Sequence, residues 1–293
     1  MTVDAGSPAG MVAGSSVAPA GGSSAGGSSG KGDFSWPKPP PRAWMRNCQA
    51  RQRALAIRPP AGNNGDQRSV EFSDHEVNAV THPYWPLFDL LLGTPDLTLR
   101  PLREADLVRL AAIQPPDLEL DPGATRFDGM PEPVNRGLVA FQGYWKAYGT
   151  WSPASWALPF AVYHGDDLIG TQTLEGEDFP RLREADSASF LVTEMRGRGF
   201  GKQMRRAVLA LAFDALGAER AITSAWHDNG ASLGVSRALG YAPNGESRHA
   251  RGERVDRMVH LALSRDEWLA SGHSAGVEID GFDPCRPLFG LEG

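Results

Sequence analysis

Residues 196–213 read RGRGFGKQMRRAVLALAF. Three glycines and a phenylalanine interleave with two arginines, a lysine follows, and the chain then takes on helical spacing. Met204, Val208, Leu211 and Ala215 form an i, i+4, i+7 apolar stripe. Glycine lets the backbone bend tightly and bring its N–H groups close to an anion. A helix beginning near Gly199 points free N–H donors and the positive end of its dipole at the same spot. Arg196, Arg198 and Lys202 add charge, so the expected guest is a phosphate or pyrophosphate. Spacing removes two familiar versions of such a loop. A P-loop requires glycine where Arg196 stands and a hydroxyl where Gln203 stands. A dinucleotide fingerprint requires its third glycine at Lys202 or at Met204, and both positions fail.

The surrounding chain alternates between the two periodicities. Leu97–Arg100 alternates as a short strand does, and 103–113 (READLVRLAAI) spaces its leucines as a helix does. Residues 132–150 are a second helical candidate with aromatics on one face. LPFAVY (158–163) and LIGTQTL (168–174) flank His164-Gly-Asp-Asp167 and predict a hairpin. SASFLV (187–192) predicts the strand before the glycine loop, with Gly217 as the stop of the helix that follows. RAITSAW (220–226) is a strand, Ala231–Leu239 a short helix, and 254–263 a last strand. Ser264-Arg-Asp-Glu267 has the spacing of a capping box. This order predicts one α+β domain with a mostly antiparallel sheet and a parallel piece where a helix crosses over.

Outside the span 80–270 the chain reads differently. Residues 1–30 contain 23 Gly, Ser, Ala or Pro, and 31–79 carry a proline cluster and PPAGNNGD. So little apolar side chain cannot offset the ordering entropy, so 1–79 is expected to be a disordered tail. Val80 is a candidate first residue, because a valine codon can start a GC-rich bacterial gene. Residues 271–293 are expected to be a loose C-terminal tail. Residues 1–79 hold eight basic and six acidic residues, leaving 21 basic and 29 acidic in the rest. An acidic body argues against broad nucleic-acid binding. No apolar run has the length of a membrane span, and the start lacks the pattern of a secretory signal. Cys48 and Cys285 stand far apart without metal-ligand spacing, as expected of free thiols in a reducing cytoplasm, with no metal site.

A second constellation follows the loop. Asn229-Gly-Ala-Ser232 ends one strand and opens the next helix, which closes on Gly240-Tyr241. With Arg196-x-x-Gly199-x-Gly201, these residues resemble the GNAT family of acyl-CoA-dependent N-acyltransferases, in particular the branch that modifies ribosomal-protein N-termini. That branch carries Asn-x-x-Ser at the start of this helix and Gly-Phe or Gly-Tyr at its end. The resemblance spans about Leu97–Leu269, and THPYWPLFDL (81–90) is similar to actinobacterial members.

The resemblance implies a GNAT fold, in which the strands before and after the loop helix splay apart around the pantetheine of acetyl-CoA or another acyl-CoA. The cofactor-binding residues it implies are Leu191, Thr193, Arg196, Gly197, Arg198, Gly199, Phe200, Gly201, Lys202, Asn229 and Ser232. Ser232 is the candidate catalytic residue, protonating the leaving thiolate. Otherwise it only satisfies a backbone N–H, with Asn229 as the helix cap. The acceptor is an amine of a protein N-terminus, a lysine or a small metabolite, and no membrane partner is expected. A homodimer is compatible with the sequence.

Glu175, Glu177, Asp178, Glu194, His227 and Asp228 are candidate bases, each also readable as a solvated loop charge. His260 reads as a satisfied sheet histidine. Trp145, Trp151 and Trp156 read as core or as a pocket for a flat acceptor. Arg136 or Lys146 could meet the carboxylate of a dicarboxylic donor such as succinyl-CoA. Two alternatives keep the same motifs: a CoA-binding regulatory module without turnover, and a biosynthetic enzyme drawing its acyl group from aminoacyl-tRNA.

Overall fold

Nine strands form among the described residues. They are β1 (Leu91–Gly93), β2 (Thr98–Pro101), β3 (Trp156–His164), β4 (Asp167–Gly176), β5 (Glu184–Leu191), β6 (Arg220–Trp226), β7 (Ala242–Arg251), β8 (Arg254–Ser264) and β9 (Glu278–Asp280). The computed structural model describes residues 82–120 and 124–291. The expected tail 1–79 and the candidate start Val80 lie outside the described residues. The strands form one sheet in the order β7-β8-β6-β5-β4-β3-β2-β1-β9. Every pairing is antiparallel except that of β5 with β6. The mixed, mostly antiparallel sheet expected from the element order is therefore present.

Five longer helices flank the sheet: α1 (Leu107–Ala112), α2 (Glu132–Gly149), α3 (Phe200–Ala210), α4 (Gly230–Ala238) and α5 (Arg265–Ser271). The Met204–Val208–Leu211 stripe of α3 is fully buried. Its last turn widens to π-type bonding over Leu211–Ala215. Gly217, at φ 72°, then closes the helix as Ala218 N–H reaches Ala212 O at 2.8 Å. The Ser264/Glu267 capping box opens α5. On one face of the sheet, α3 packs on Ala185, Ala221 and Ala225. On the other, Leu107 and Leu110 of α1 and Tyr144 of α2 cover Ala161, Leu168 and Phe190.

The segment from residue 271, expected to be loose, is folded. β9 pairs with β1, and Phe282, Cys285 and Phe289 enter the main core. Three-residue strands are too short to show a period, and β1 hides inside the leucine run 90–92. Cys285 is a free, buried thiol whose pKa burial pushes up to about 12. Trp151 and Trp156 pack in this region. Trp151 stacks on Trp156 at 5.9 Å, donates to Leu288 O and meets Phe289. Trp145 is exposed on α2. No helix among the described residues is long and apolar enough to cross a membrane.

Candidate active site

The parallel pairing of β5 with β6 holds only at Glu184↔Arg220 and Ala185↔Ala221. Beyond these the strands diverge, and a cleft of about 990 Å³ opens between them. It is lined by Ser187–Leu191 on one side and Thr223–Trp226 on the other. A buried polar cluster floors the divergence. Arg205 of α3, 3% exposed, reaches Thr223 Oγ1 at 3.4 Å, with Ser187 and Tyr241 also buried. Burial of the Asp186 carboxyl pushes its pKa up to about 6, against the opposing pull of the Ser187 N–H and Arg205. Burial likewise pushes the Tyr241 hydroxyl up to about 12.

The glycine loop stands at the open end of the cleft. Gly197 and Gly199 sit at φ 74° and 84°, a region that side chains rarely adopt. Gly199 is the N-cap of α3. Gly201 serves packing instead: a Cβ there would meet Val235 of α4 at 3.4 Å. Of the residues expected to hold the donor, Leu191, Arg196, Gly201, Asn229 and Ser232 line the cleft. Gly197 and Arg198 are exposed in the loop beside it, and Lys202 is exposed on the first turn of α3. Arg198 lies over the Phe200 ring at 5.0 Å. Two expected residues turn elsewhere. The Phe200 side chain is buried against the core, leaving only its backbone to face the loop. Thr193 lines a separate depression with Glu194 and Arg109.

Asn229 caps α4 by accepting the Ser232 N–H at 3.1 Å, as its capping alternative predicts. The Ser232 Oγ has no hydrogen-bond partner among the described residues and lines the cleft. Among the candidate bases, only Asp228 borders the cleft, and Arg251 holds it at 2.9 Å. His227 pairs with Asp256 at 3.1 Å, and Asp178 with Arg181 at 3.3 Å. Arg136 lines the cleft but Lys146 does not.

Sequence reasoning missed the strap across the cleft mouth. Residues 116–120, between α1 and α2, border the cleft. Asp117 makes a bidentate pair with Arg196 at 2.6 and 2.9 Å, and this guanidinium holds its carboxyl below the usual range. Glu119 pairs with Arg251 of the β7–β8 hairpin, which also binds Asp228 and Asp256 and lies over the Trp226 ring. Nothing in QPPDLEL (114–120) signals this, since each partner is over 75 residues away in the chain.

Several solved structures resemble this one in fold. A T. thermophilus protein described as an acetyltransferase is 20% identical, with 63% of this chain and 93% of that one covered and a TM-score of 0.50. Mycobacterium smegmatis RimJ in complex with CoA-disulfide is 17% identical, covers 66% and 98%, and has a TM-score of 0.49. A spermidine N-acetyltransferase chimera from Vibrio cholerae and human sequences is 18% identical, covers 59% and 98%, and has a TM-score of 0.47. Residues 96–242 match the model of the GNAT acetyltransferase domain. That match takes in β2 through α4, with the divergent strands, the glycine loop and the Asn229 cap inside it, and it covers half of the chain. The chain belongs to the GNAT acetyltransferase family and is an acyl-CoA-dependent N-acyltransferase.

Proposed function

We propose that the enzyme moves an acetyl group, or a longer or dicarboxylic acyl group, from acyl-CoA to a primary amine by direct attack. The amine is that of a protein N-terminus, a lysine or a small metabolite. The observation that carries this is the divergence of β5 from β6 with an anion-binding loop at its open end. From Asp186 to Leu191 the β6-facing edge of β5 has no ladder partner. Backbone amides without a strand partner suit the amide-bearing pantetheine, which would take the place of a strand. Arg196–Lys202 would receive the pyrophosphate. A backbone N–H of the open edge would stabilise the tetrahedral oxyanion. The Ser232 hydroxyl would give its proton to the departing thiolate as the C–S bond breaks.

The charge of the cleft bears on the acceptor. Six arginines and three carboxylates line it, and each of those carboxylates is paired with an arginine. A net positive cleft repels a polycation. It therefore favours a monoamine, or an amine next to a neutral or anionic group, over a polyamine. Arg136 lines the cleft, where a dicarboxylic acyl group would compete for it with Glu132 and with the Leu118 and Pro116 carbonyls.

Thermal-shift measurements with acetyl-, succinyl- and longer-chain CoA, followed by an amine panel on the best donor, test the proposal. A rise in melting temperature with at least one acyl-CoA and steady CoA release with an amine are expected. Binding without release from any amine would instead identify a regulatory CoA-binding module.

A further inference from the structure

The general base that no sequence motif supplies has a structural counterpart in polar side chains that run from the cleft across β6, β8 and β7. Ser224 of β6 lines the cleft, and its Oγ lies 2.7 Å from His260 Nδ1. His260, opposite it on β8, places its Nε2 2.6 Å from Ser247 Oγ on β7. The same Ser247 Oγ lies 2.6 Å from His249 Nε2. His249 is half-buried near the sheet edge, beside Trp226. The four side chains make one unbranched path across three strands, open to the cleft at Ser224 and to solvent at His249.

We infer that Ser224, His260, Ser247 and His249 form a proton path that carries the acceptor amine's proton from the cleft to solvent. The inference rests on the acyl-transfer proposal. A structural histidine needs one fixed tautomer, and a carboxylate partner would pin it. Here both ring nitrogens of His260 face hydroxyls, which can donate and accept. In one sense of the path, Ser224 donates to His260 Nδ1, His260 Nε2–H donates to Ser247, and Ser247 donates to His249 Nε2. In the other sense every bond is reversed. The two senses differ by the passage of one proton.

The step balances. As the amine nitrogen bonds to the thioester carbon, its excess proton passes to Ser224 Oγ while the Ser224 proton moves to His260 Nδ1. The His260 Nε2 proton moves to Ser247, and the Ser247 proton to His249 Nε2. His249 then releases its Nδ1 proton to water. Burial and the neighbouring His249 lower the pKa of His260, which keeps it neutral and able to accept. Around it, β6 presents the uncharged Ser224, and β7 presents Ser247 and His249. The charged groups further along β7 and β8 are satisfied elsewhere: Asp256 by His227, Arg251 and Arg254, and Glu246 by Arg257.

The test uses the full chain, acetyl-CoA, and a serine-led tripeptide amide or the monoamine benzylamine as acceptor. The wild-type kcat is expected to fall as pH drops through a value below about 6.5, the ordinary histidine pKa. His260→Gln is expected to lose about 100-fold in kcat and to lose that acid limb. Its melting-temperature rise with acetyl-CoA should be retained. Ser224→Ala should behave likewise, and carries the test if His260→Gln fails to fold. His249→Gln should lose only a few-fold, because water can take the proton from Ser247. An unchanged kcat and pH profile in His260→Gln overturns the path and leaves the acyl-CoA proposal intact. An acetyl-CoA shift without CoA release from any amine overturns the acyl-transfer proposal and the path with it. No acetyl-CoA shift in the wild type overturns both.

Discussion

β5 has two edges, and they behave differently. Toward β4 it is paired without interruption from Gly170↔Leu191 to Glu175↔Asp186. Toward β6 it is paired at two positions and then released. The continuous edge ties β5 to β4 at six successive positions. The open edge leaves backbone groups to be satisfied by whatever enters, and that side is the site. β6 cannot close the gap, because seven consecutive pairs from Arg220↔Ser264 to Trp226↔Met258 hold its far edge to β8. A single strand thus separates a part of the molecule built for stability from a part built for binding.

The largest expected effect tests that separation from the closed side. Phe289→Ala removes a buried ring that packs on Trp151 and Trp156, and should lower stability in urea unfolding by about 3–5 kcal/mol. The acetyl-CoA affinity of the folded protein should not change, and a parallel loss of affinity would break the comparison. On the open side, Ser232→Ala should lower kcat by about 100-fold with the KM for acyl-CoA unchanged. An equal loss in both parameters would limit Ser232 to binding. Gly199→Asp puts a side chain at φ 84° and a negative charge in the anion loop. The conformation alone costs about 1–2 kcal/mol, so donor affinity by titration calorimetry should fall about tenfold or more.

The smallest effect concerns the floor of the divergence. The folded-state pKa of Asp186 is raised from 3.8 to about 6. Its stabilising contribution is therefore full below the unfolded value and is lost as pH rises through the folded one. Asp186→Asn should flatten the melting-temperature profile across that window, and a profile that keeps its slope would assign it to other groups.

Much of this was legible in the chain, for reasons that differ by element. The hairpin of β3 and β4, α3 and the capping box of α5 are local patterns, and each forms within a residue or two of its expected bounds. The glycine loop was readable because φ above zero and a helix start both leave marks in sequence. β9 and β1 were not, because their pairing joins residues almost 190 positions apart with three residues each. The strap also escaped, since Asp117 and Glu119 acquire meaning only when the fold brings Arg196 and Arg251 to them. His260 read correctly as a hydrogen-bonded sheet histidine. Its partners could not be named before the β7–β8 register was known.

The Asp117–Arg196 pair has a kinetic consequence. A donor seated as proposed displaces Asp117 from the guanidinium it holds, so one counterion is exchanged for another. One of the loop's three cations is thus already neutralised before the guest arrives. Donor affinity should therefore vary less with ionic strength than three unpaired cations would require. The strap keeps its second anchor, Glu119 on Arg251, so only its Asp117 end loosens, and only once the donor is in place. Initial-rate patterns should accordingly show ordered addition, with the acyl-CoA entering before the amine.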